Sequence, residues 1–212
     1  KASIKDDVSA LDSSVDLTGA TKVTAVVETG KGDLTSITLD DDVTDIDLNG
    51  VTTILSIDDA TGRTIGAGTY SFQDTAEKLS KTSSKSLING KAVKVNDDDS
   101  LNFDSYSKII TTNGASSISF KKVSDIASTL ETNKDVLFKN GVTVTISDSP
   151  KIDAISSLNT KATAVSATLV VPKITDTAAN INQNATTLGF ATSAAVTIDE
   201  TTVSELDDLA AI

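Results

Sequence analysis

The stretch Asp176-Thr-Ala-Ala-Asn-Ile181 is a pattern that this chain writes several times. An Asp is followed by one apolar residue two positions later and by another five positions later. The pattern recurs at Asp74-Thr-Ala-Glu-Lys-Leu79, Asp104-Ser-Tyr-Ser-Lys-Ile109, Asp125-Ile-Ala-Ser-Thr-Leu130 and Asp153-Ala-Ile-Ser-Ser-Leu158, and Thr201-Thr-Val-Ser-Glu-Leu206 starts a further copy with Thr in place of Asp. We interpret this recurrence as an internal repeat.

Each copy has the features of a helix start. An Asp or Thr side chain can accept hydrogen bonds from the free N–H groups of the first turn, and a negative Asp also suits the positive end of the helix dipole. The two apolar positions are three residues apart and share one helix face. We therefore predict helix caps at these residues and a buried face made by Ala76, Leu79, Ile126, Leu130, Ile155, Leu158, Ala178 and Ile181.

A short β-rich run follows each of the five copies that begin with Asp. These runs are Val93-Lys-Val95, Ile118-Ser-Phe120, Val142-Thr-Val-Thr-Ile146, Leu169-Val-Val171 and Val196-Thr-Ile198. Asn89-Gly90, Asn113-Gly114 and Asn140-Gly141 precede three of them, where a turn with positive φ is expected. One unit is thus a cap, a short helix, a turn and a strand, too small to bury its own apolar face without neighbours.

The first seventy residues carry β signals at closer spacing. Segments beginning at Leu34, Val43 and Val51 repeat apolar residues at similar positions, with starts nine and eight residues apart. We predict that Leu34, Ile37, Val43, Ile46, Val51 and Ile54 face one interior, either as rungs of a β-solenoid or as strands of a small sandwich. The predicted fold is a mainly β, elongated, solenoid-like repeat with short helices, in which residues 1–72 form β-rungs and residues 73–212 form stacked helix–strand units.

The composition of the chain excludes several kinds of catalytic group and metal site. The chain has 212 residues, no His, no Cys and a formal net charge of −12. Without His or Cys it cannot assemble a Ser-His-Asp or Cys-His catalytic group or a thiolate metal site. A negative chain is disfavoured as a partner of DNA, RNA or anionic membranes, and no apolar run approaches the length of a membrane span. The sequence predicts that the protein is not an enzyme.

Two segments of the sequence resemble those of a known class of proteins. Gly32-Asp-Leu-Thr-Ser-Ile-Thr-Leu-Asp40 and Asp176-Thr-Ala-Ala-Asn-Ile181 resemble recurring segments of very large bacterial surface and secreted proteins, which include surface-layer proteins and adhesins of the type I export route. The resemblance implies an extracellular location on the bacterial cell surface. Separately, the chain begins at Lys1 and ends at Ile212, inside a helix-like segment whose following strand is missing, so we predict that it is part of a longer protein, truncated at its C-terminal end. The glycine-rich calcium nonapeptide of many type I substrates is absent from the sequence.

Acidic clusters provide the candidate metal ligands. Carboxylates on tight turns between strands can supply the several oxygens that Ca²⁺ requires. The candidate ligands are Asp40, Asp42, Asp45, Asp97 and Asp99. The alternative is that these residues are solvated turn residues that keep strand edges from pairing wrongly.

These observations favour a structural segment of a bacterial cell-surface protein, either a surface-layer subunit or the stalk of an adhesin. Its expected partners are further copies of itself or neighbouring domains of the same long chain, with calcium as the one candidate cofactor. The alternative is a module of a secreted adhesin that binds a glycan or a host protein, and a third reading is an extracellular β-helix enzyme.

Overall fold

The computed structural model describes residues 3–7, 22–26, 33–34, 45–47, 53–54, 64–65, 71–184 and 194–199. The chain forms two compact units. The first unit contains Lys1–Asp99 and Asp104–Ser119, and the second contains Ser100–Phe103 and Phe120–Ile212. The predicted division at residue 72 stays a prediction.

The first unit is built on short parallel strands. Its described strands are β1 Ser3–Asp7, β2 Lys22–Val26, β3 Asp33–Leu34, β4 Asp45–Asp47, β5 Thr53–Ile54, β6 Thr64–Ile65, β7 Ser71–Asp74, β8 Ala92–Val95 and β9 Ser117–Ser119. One sheet has the order β1-β2-β4-β6, and the other has the order β3-β5-β7-β8-β9.

Strand pairing in this unit corrects the predicted register. Leu34 of β3 pairs with Ile54 of β5, whereas Ile46 of β4 lies in the other sheet between Ala25 and Ile65. Segments eight or nine residues apart are therefore not neighbouring rungs of one sheet. The burial predicted for Leu34, Ile46 and Ile54 stays a prediction, and Ile37, Val43 and Val51 lie outside the described residues.

Helical connections follow β7 and β8. They comprise α1 Ala76–Ser80, a 3₁₀ turn Thr82–Ser84, α2 Lys85–Ile88, α3 Phe103–Ser107 and a π-helical turn Lys108–Thr112. Parallel strands require such long crossovers because the chain must return to the same edge of the sheet.

The second unit alternates strands and helices. Its elements are β10 Lys122–Asp125, α4 Ala127–Thr132, α5 Lys134–Leu137, β11 Thr143–Ile146, α6 Ile152–Val165, β12 Thr168–Val170, β13 Lys173–Asp176, α7 Ala178–Asn184 and β14 Ala195–Ile198. Strands β10, β11 and β12 form one parallel sheet in that order, and β13 pairs in parallel with β14.

In both units, buried and less buried residues alternate along the strands, and the buried ones form the core. Phe72 and Val93 pair across β7 and β8, and in the second unit Val123, Val144 and Leu169 form a buried row under the helices. Seven of the predicted helix-face residues are buried, and that part of the prediction is confirmed: they are Ala76, Leu79, Leu130, Ile155, Leu158, Ala178 and Ile181. Ile126 is wrong, since it is 44% exposed and Ala127 takes the buried position.

The predicted fold class is wrong. The described chain is a mixed α/β structure with several small parallel sheets, in place of a mainly β, elongated solenoid. The reason lies in the connections after β7, where Ala, Leu and Ile recur at helical spacing and α6 alone extends over 14 residues. Among the described helices, none has the length and apolar character to cross a membrane.

Candidate functional site

The repeated aspartates occupy a different position from the one predicted. Asp74, Asp125 and Asp176 are the last residues of strands β7, β10 and β13, so they are not the caps of the helices that follow. Asp104 and Asp153 lie inside the first turns of α3 and α6. The prediction that these five aspartates cap their own helices is wrong.

Threonine performs the local cap in two copies. Thr75 Oγ1 accepts the Lys78 N–H at 3.3 Å, and Thr177 Oγ1 accepts the Asn180 N–H at 3.2 Å. In both copies the Asp comes one residue earlier, where the chain is still extended. In these two copies the Thr, and not the Asp before it, caps the helix that follows.

Four aspartates, two of them from the repeated phrase, each accept the N–H at the start of a helix that lies earlier in the chain. Asp99 Oδ2 accepts the Ala76 N–H at 2.6 Å, and Asp148 Oδ1 accepts the Ala127 N–H at 2.9 Å. The Phe103 N–H donates to Asp125 Oδ2 at 2.9 Å, and the Ile152 N–H donates to Asp176 Oδ2 at 2.9 Å. Each bond joins the first residue of a helix to an Asp that is 21 to 24 residues downstream. We call these four contacts the interlayer caps.

Two of these carboxylates bind backbone on both sides. The second oxygen of Asp125 accepts the Ile126 N–H, and the second oxygen of Asp176 accepts the Thr177 N–H, both at 2.9 Å. One side chain thus joins the end of its own strand to the start of the preceding helix. Because free N–H groups at a helix start carry partial positive charge, an ionised carboxylate suits this position better than a neutral acceptor does.

Asp176 is the most deeply held of these groups. Its side chain is buried and also accepts the Asn180 amide at 2.8 Å. Burial alone would raise the pKa of Asp176, but the hydrogen bonds from Ile152, Thr177 and Asn180, together with the charge of Lys151, outweigh it and hold the pKa below its ordinary value. The ionised form is therefore the one that the fold stabilises.

Asn113 binds the opposite end of α1. It is fully buried, and its Nδ2 donates to the carbonyls of Leu79 and Lys81, both at 2.8 Å. Leu79 lies in the last turn of α1 and Lys81 is its C-cap residue, where intrahelical donors run out. The predicted positive φ of the Asn-Gly turns is confirmed, since Gly90, Gly114 and Gly141 all have φ of 73°.

Ion pairs join the helices of the second unit. Lys134 pairs with Glu131, and Ser157 Oγ of α6 donates to Glu131 Oε1 at 2.9 Å. The hydrogen bond from Lys134 lowers the pKa of Glu131 more than burial raises it. Lys161 of α6 lies 2.7 Å from Asp135 of α5. Lys134, Glu131 and Ser157 thus form a polar contact between α4, α5 and α6.

The structure describes three of the five predicted calcium ligands. Asp99 is engaged as an interlayer cap, Asp97 lies 3.3 Å from Lys94, and Asp45 is the first residue of β4. Asp40 and Asp42 lie outside the described residues. Within the described ranges, no three acidic side chains gather as a metal site would require.

Sequence reasoning missed the partners of the caps. Asp99, Asp148 and Asn113 stand outside the repeated phrase, so nothing local marks them. The signal that could have revealed them is the similar separation, 21 to 24 residues, from each helix start to a later Asp.

No family model, no curated protein and no solved structure matches this chain.

Proposed function

We propose that this chain is a structural segment of a bacterial cell-surface protein that acts by packing and self-association and has no catalytic centre. The observation that carries the proposal is the use made of the acidic side chains between residues 71 and 184. Four of them form interlayer caps, and others pair with lysines of the same chain. The four caps join the start of a helix to a later part of the chain, and the ion pairs hold lysines of the same chain.

Composition supports the same conclusion. A chain without His or Cys lacks the commonest general base and the commonest nucleophile pair. Asp and Glu could still act as a hydrolytic pair, but the four carboxylates of the interlayer caps are bound to backbone N–H groups. A carboxylate held by backbone in this way is poorly placed to meet a substrate.

The test of this proposal is the location of the protein on its own cell. We expect immunogold electron microscopy with an antibody against this chain to label the outer face of the bacterial envelope, as a lattice or as separate fibres. Label confined to the cytoplasm would overturn the proposal.

Calcium binding at Asp40, Asp42, Asp45, Asp97 and Asp99 stays a proposal within this function. At Asp99 the ion would compete with the Ala76 N–H, and at Asp97 it would compete with Lys94. Calorimetry with millimolar Ca²⁺ tests the proposal, with hydrogen exchange of the Ala76 amide recorded alongside. Heat release with faster exchange at Ala76 would place the ion at Asp99, and heat release alone would place it elsewhere. The absence of heat release would overturn the proposal that calcium binds.

A glycan- or protein-binding module is the second candidate, and one surface favours it. On the sheet of β10, β11 and β12 the residues Ser124, Thr145 and Val170 form a row on the face opposite the buried row. Val170 is 38% exposed beside two hydroxyl-bearing side chains, a combination that suits a sugar ring. Retention of the chain on a glycan array, lost in Thr145→Lys but kept in Thr160→Lys on α6, would support this candidate.

A further inference from the structure

Asn-Gly pairs begin at Asn49, Asn89, Asn113 and Asn140 in this chain. In such a pair the backbone nitrogen of the Gly can attack the side-chain amide carbon of the Asn, because Gly has no Cβ to obstruct the approach. The pair at Asn49 lies outside the described residues. In the other three the Gly has a φ of 73°, so differences in reactivity between them must come from their surroundings.

The surroundings of Asn113 oppose this reaction. Asn113 is fully buried, and its Nδ2, the atom that would leave as ammonia, donates to the carbonyls of Leu79 and Lys81, both at 2.8 Å. These two bonds hold the side chain in one orientation, and burial keeps out the water that the reaction consumes. We therefore expect Asn113 to stay intact in the folded chain.

The pair Asn89-Gly90 is restrained in a different way. Asn89 is exposed, but a Cβ added to Gly114 would lie 2.4 Å from Asn89 Oδ1, so the Asn89 amide lies directly against the next turn. The attacking nitrogen is bound to the same residue, since the Gly90 N–H donates to the Gly114 carbonyl at 2.8 Å. Both reacting groups of this pair are thus held by Gly114.

The pair Asn140-Gly141 has more room. Both residues are exposed, and a Cβ added to Gly141 would meet no atom within 4 Å. The Gly141 N–H donates to the Ser166 carbonyl at 3.1 Å, so Ser166 stands here in the place that Gly114 takes beside Gly90. Ser166 carries a Cβ, and an amide packed against it as Asn89 packs against Gly114 would clash. The Asn140 amide is therefore left in water, and only local opening of one exposed hydrogen bond precedes attack.

We propose that Asn140 is a site of spontaneous deamidation. The Gly141 nitrogen loses its proton and bonds to Asn140 Cγ, while Nδ2 takes up a proton and leaves as ammonia. Water then opens the five-membered imide ring at either carbonyl, which gives an aspartate or an isoaspartate. One amide and one water become one carboxylic acid and one ammonia, without an oxidant or a catalyst. The reaction needs no ligand or partner, so it is independent of the proposed function.

The modified turn differs from the original in charge and in length. The new carboxylate adds a negative charge beside Lys139, and the isoaspartate form adds one methylene group to the main chain just before β11. The hydrogen bond between Gly141 and Ser166 should weaken in that form, because its geometry depends on the length of the turn. Water does not restore the amide, so the modified fraction grows with the age of the molecule.

Peptide mapping by mass spectrometry tests this proposal. The full chain is incubated at pH 8.5, folded in buffer and unfolded in urea, and each Asn-Gly pair is followed in its own peptide. In the folded chain we expect Asn140 to be modified at least about tenfold faster than Asn113, with Asn89 between them. In urea the three rates should become similar. The rate at Asn140 should fall at pH 6, because the Gly141 nitrogen must lose its proton before it attacks.

The variant Asn140→Gln is the matched control. Its longer side chain would have to close a six-membered ring, which forms far more slowly, so the mass gain should disappear from this peptide while the peptides of Asn89 and Asn113 behave as in wild type. Circular dichroism melting shows whether the variant is folded.

The comparison of folded and unfolded chain decides the outcome. Fast modification of Asn140 with Asn113 intact in the folded chain, and similar rates in urea, would support the proposal. An Asn140 that is modified no faster than Asn113 in the folded chain overturns it. A mass gain that persists in the same peptide of Asn140→Gln would place the reaction at another residue, and this too overturns it.

Discussion

Helices α1 and α6 solve the same problem by different means. Helix α1 has five residues, and two side chains from later in the chain bind its ends: Asp99 at Ala76 and Asn113 at Leu79 and Lys81. Helix α6 has fourteen residues and buries Ile152, Ile155, Leu158 and Ala162 along one face. Its N-terminal end is capped by a distant side chain, since Asp176 accepts the Ile152 N–H.

The difference shows what stabilises a helix in each unit. A five-residue helix forms too few internal hydrogen bonds to offset the cost of nucleation, so α1 depends on groups supplied by the next layer. Helix α6 has enough apolar surface to be held by packing. Loss of a distant cap should therefore unfold α1 locally but only loosen the first turn of α6.

The largest effect should come from Asn113→Asp. The new carboxylate has no N–H to donate, and it would face the carbonyls of Leu79 and Lys81 inside the core. We expect a loss of about 3 kcal/mol or more in the free energy of unfolding, measured with urea. Asn140→Asp is the matched control, because Asn140 precedes Gly141 in the same kind of turn but is exposed, and it should cost less than about 0.5 kcal/mol. Equal costs at the two sites would contradict the role given to Asn113.

The caps themselves should give the next largest effect. Asp99→Ala and Asp176→Ala should each cost about 1–2 kcal/mol. Their local consequences should differ, as native-state hydrogen exchange would show. Asp99→Ala should remove protection of the Leu79 amide, whereas Asp176→Ala should leave the Leu158 amide protected. Loss of protection at Leu158 would mean that α6 depends on its cap as strongly as α1 does.

Acid should remove the contribution of Asp176. Its pKa is lower in the folded state than in the unfolded state, so its ionised form stabilises the fold above the unfolded value of about 3.9. That contribution is lost as the pH falls through the folded pKa. We expect wild type to be more stable than Asp176→Asn at pH 6 and to lose this advantage as the pH falls through the folded pKa of Asp176. An advantage that stays constant through the whole acid titration would show that the charge of Asp176 has no part in it.

The smallest effect should be a gain at the end of α6. Ser166 has φ of 56°, a left-handed conformation that Gly adopts without strain. Ser166→Gly should stabilise the protein by about 0.5–1 kcal/mol. Ser156→Gly in the middle of α6 is the control and should destabilise by about 1 kcal/mol. Thermal melting of the two variants checks the sign of each change, and a lower melting temperature for Ser166→Gly would refute this account of the helix end.

Local pattern predicted the buried helix faces and the Asn-Gly turns, because both depend on neighbouring residues. The spacing of Ala178 and Ile181, for example, suffices to place both on one face. The pairing of strands could not be predicted in the same way. Leu34 pairs with Ile54 across twenty residues, and the eight-residue spacing suggested a nearer partner.

The candidate site could be predicted in part. The sequence marks Asp125 and Asp176 as backbone-binding carboxylates but does not reveal which backbone they bind. An Asp before a helix looks like a local cap, and only the packing of layers decides that Asp176 reaches Ile152, which is 24 residues earlier. The density of Asp residues can be seen in the sequence, and it led to the calcium prediction. The hydrogen bond from the Ala76 N–H to Asp99 cannot be seen there.

The central claim is that helices are capped from the following layer, and one measurement tests it most directly. In a pH titration followed by NMR, the amide proton of Ile152 should shift as the carboxylate of Asp176 is protonated, because the two groups share a hydrogen bond of 2.9 Å. In Asp176→Asn that shift should vanish, and in Asp153→Asn it should remain. An Ile152 amide that titrates unchanged in Asp176→Asn but loses its shift in Asp153→Asn would show that the cap is local, and the account of the interlayer caps would be wrong.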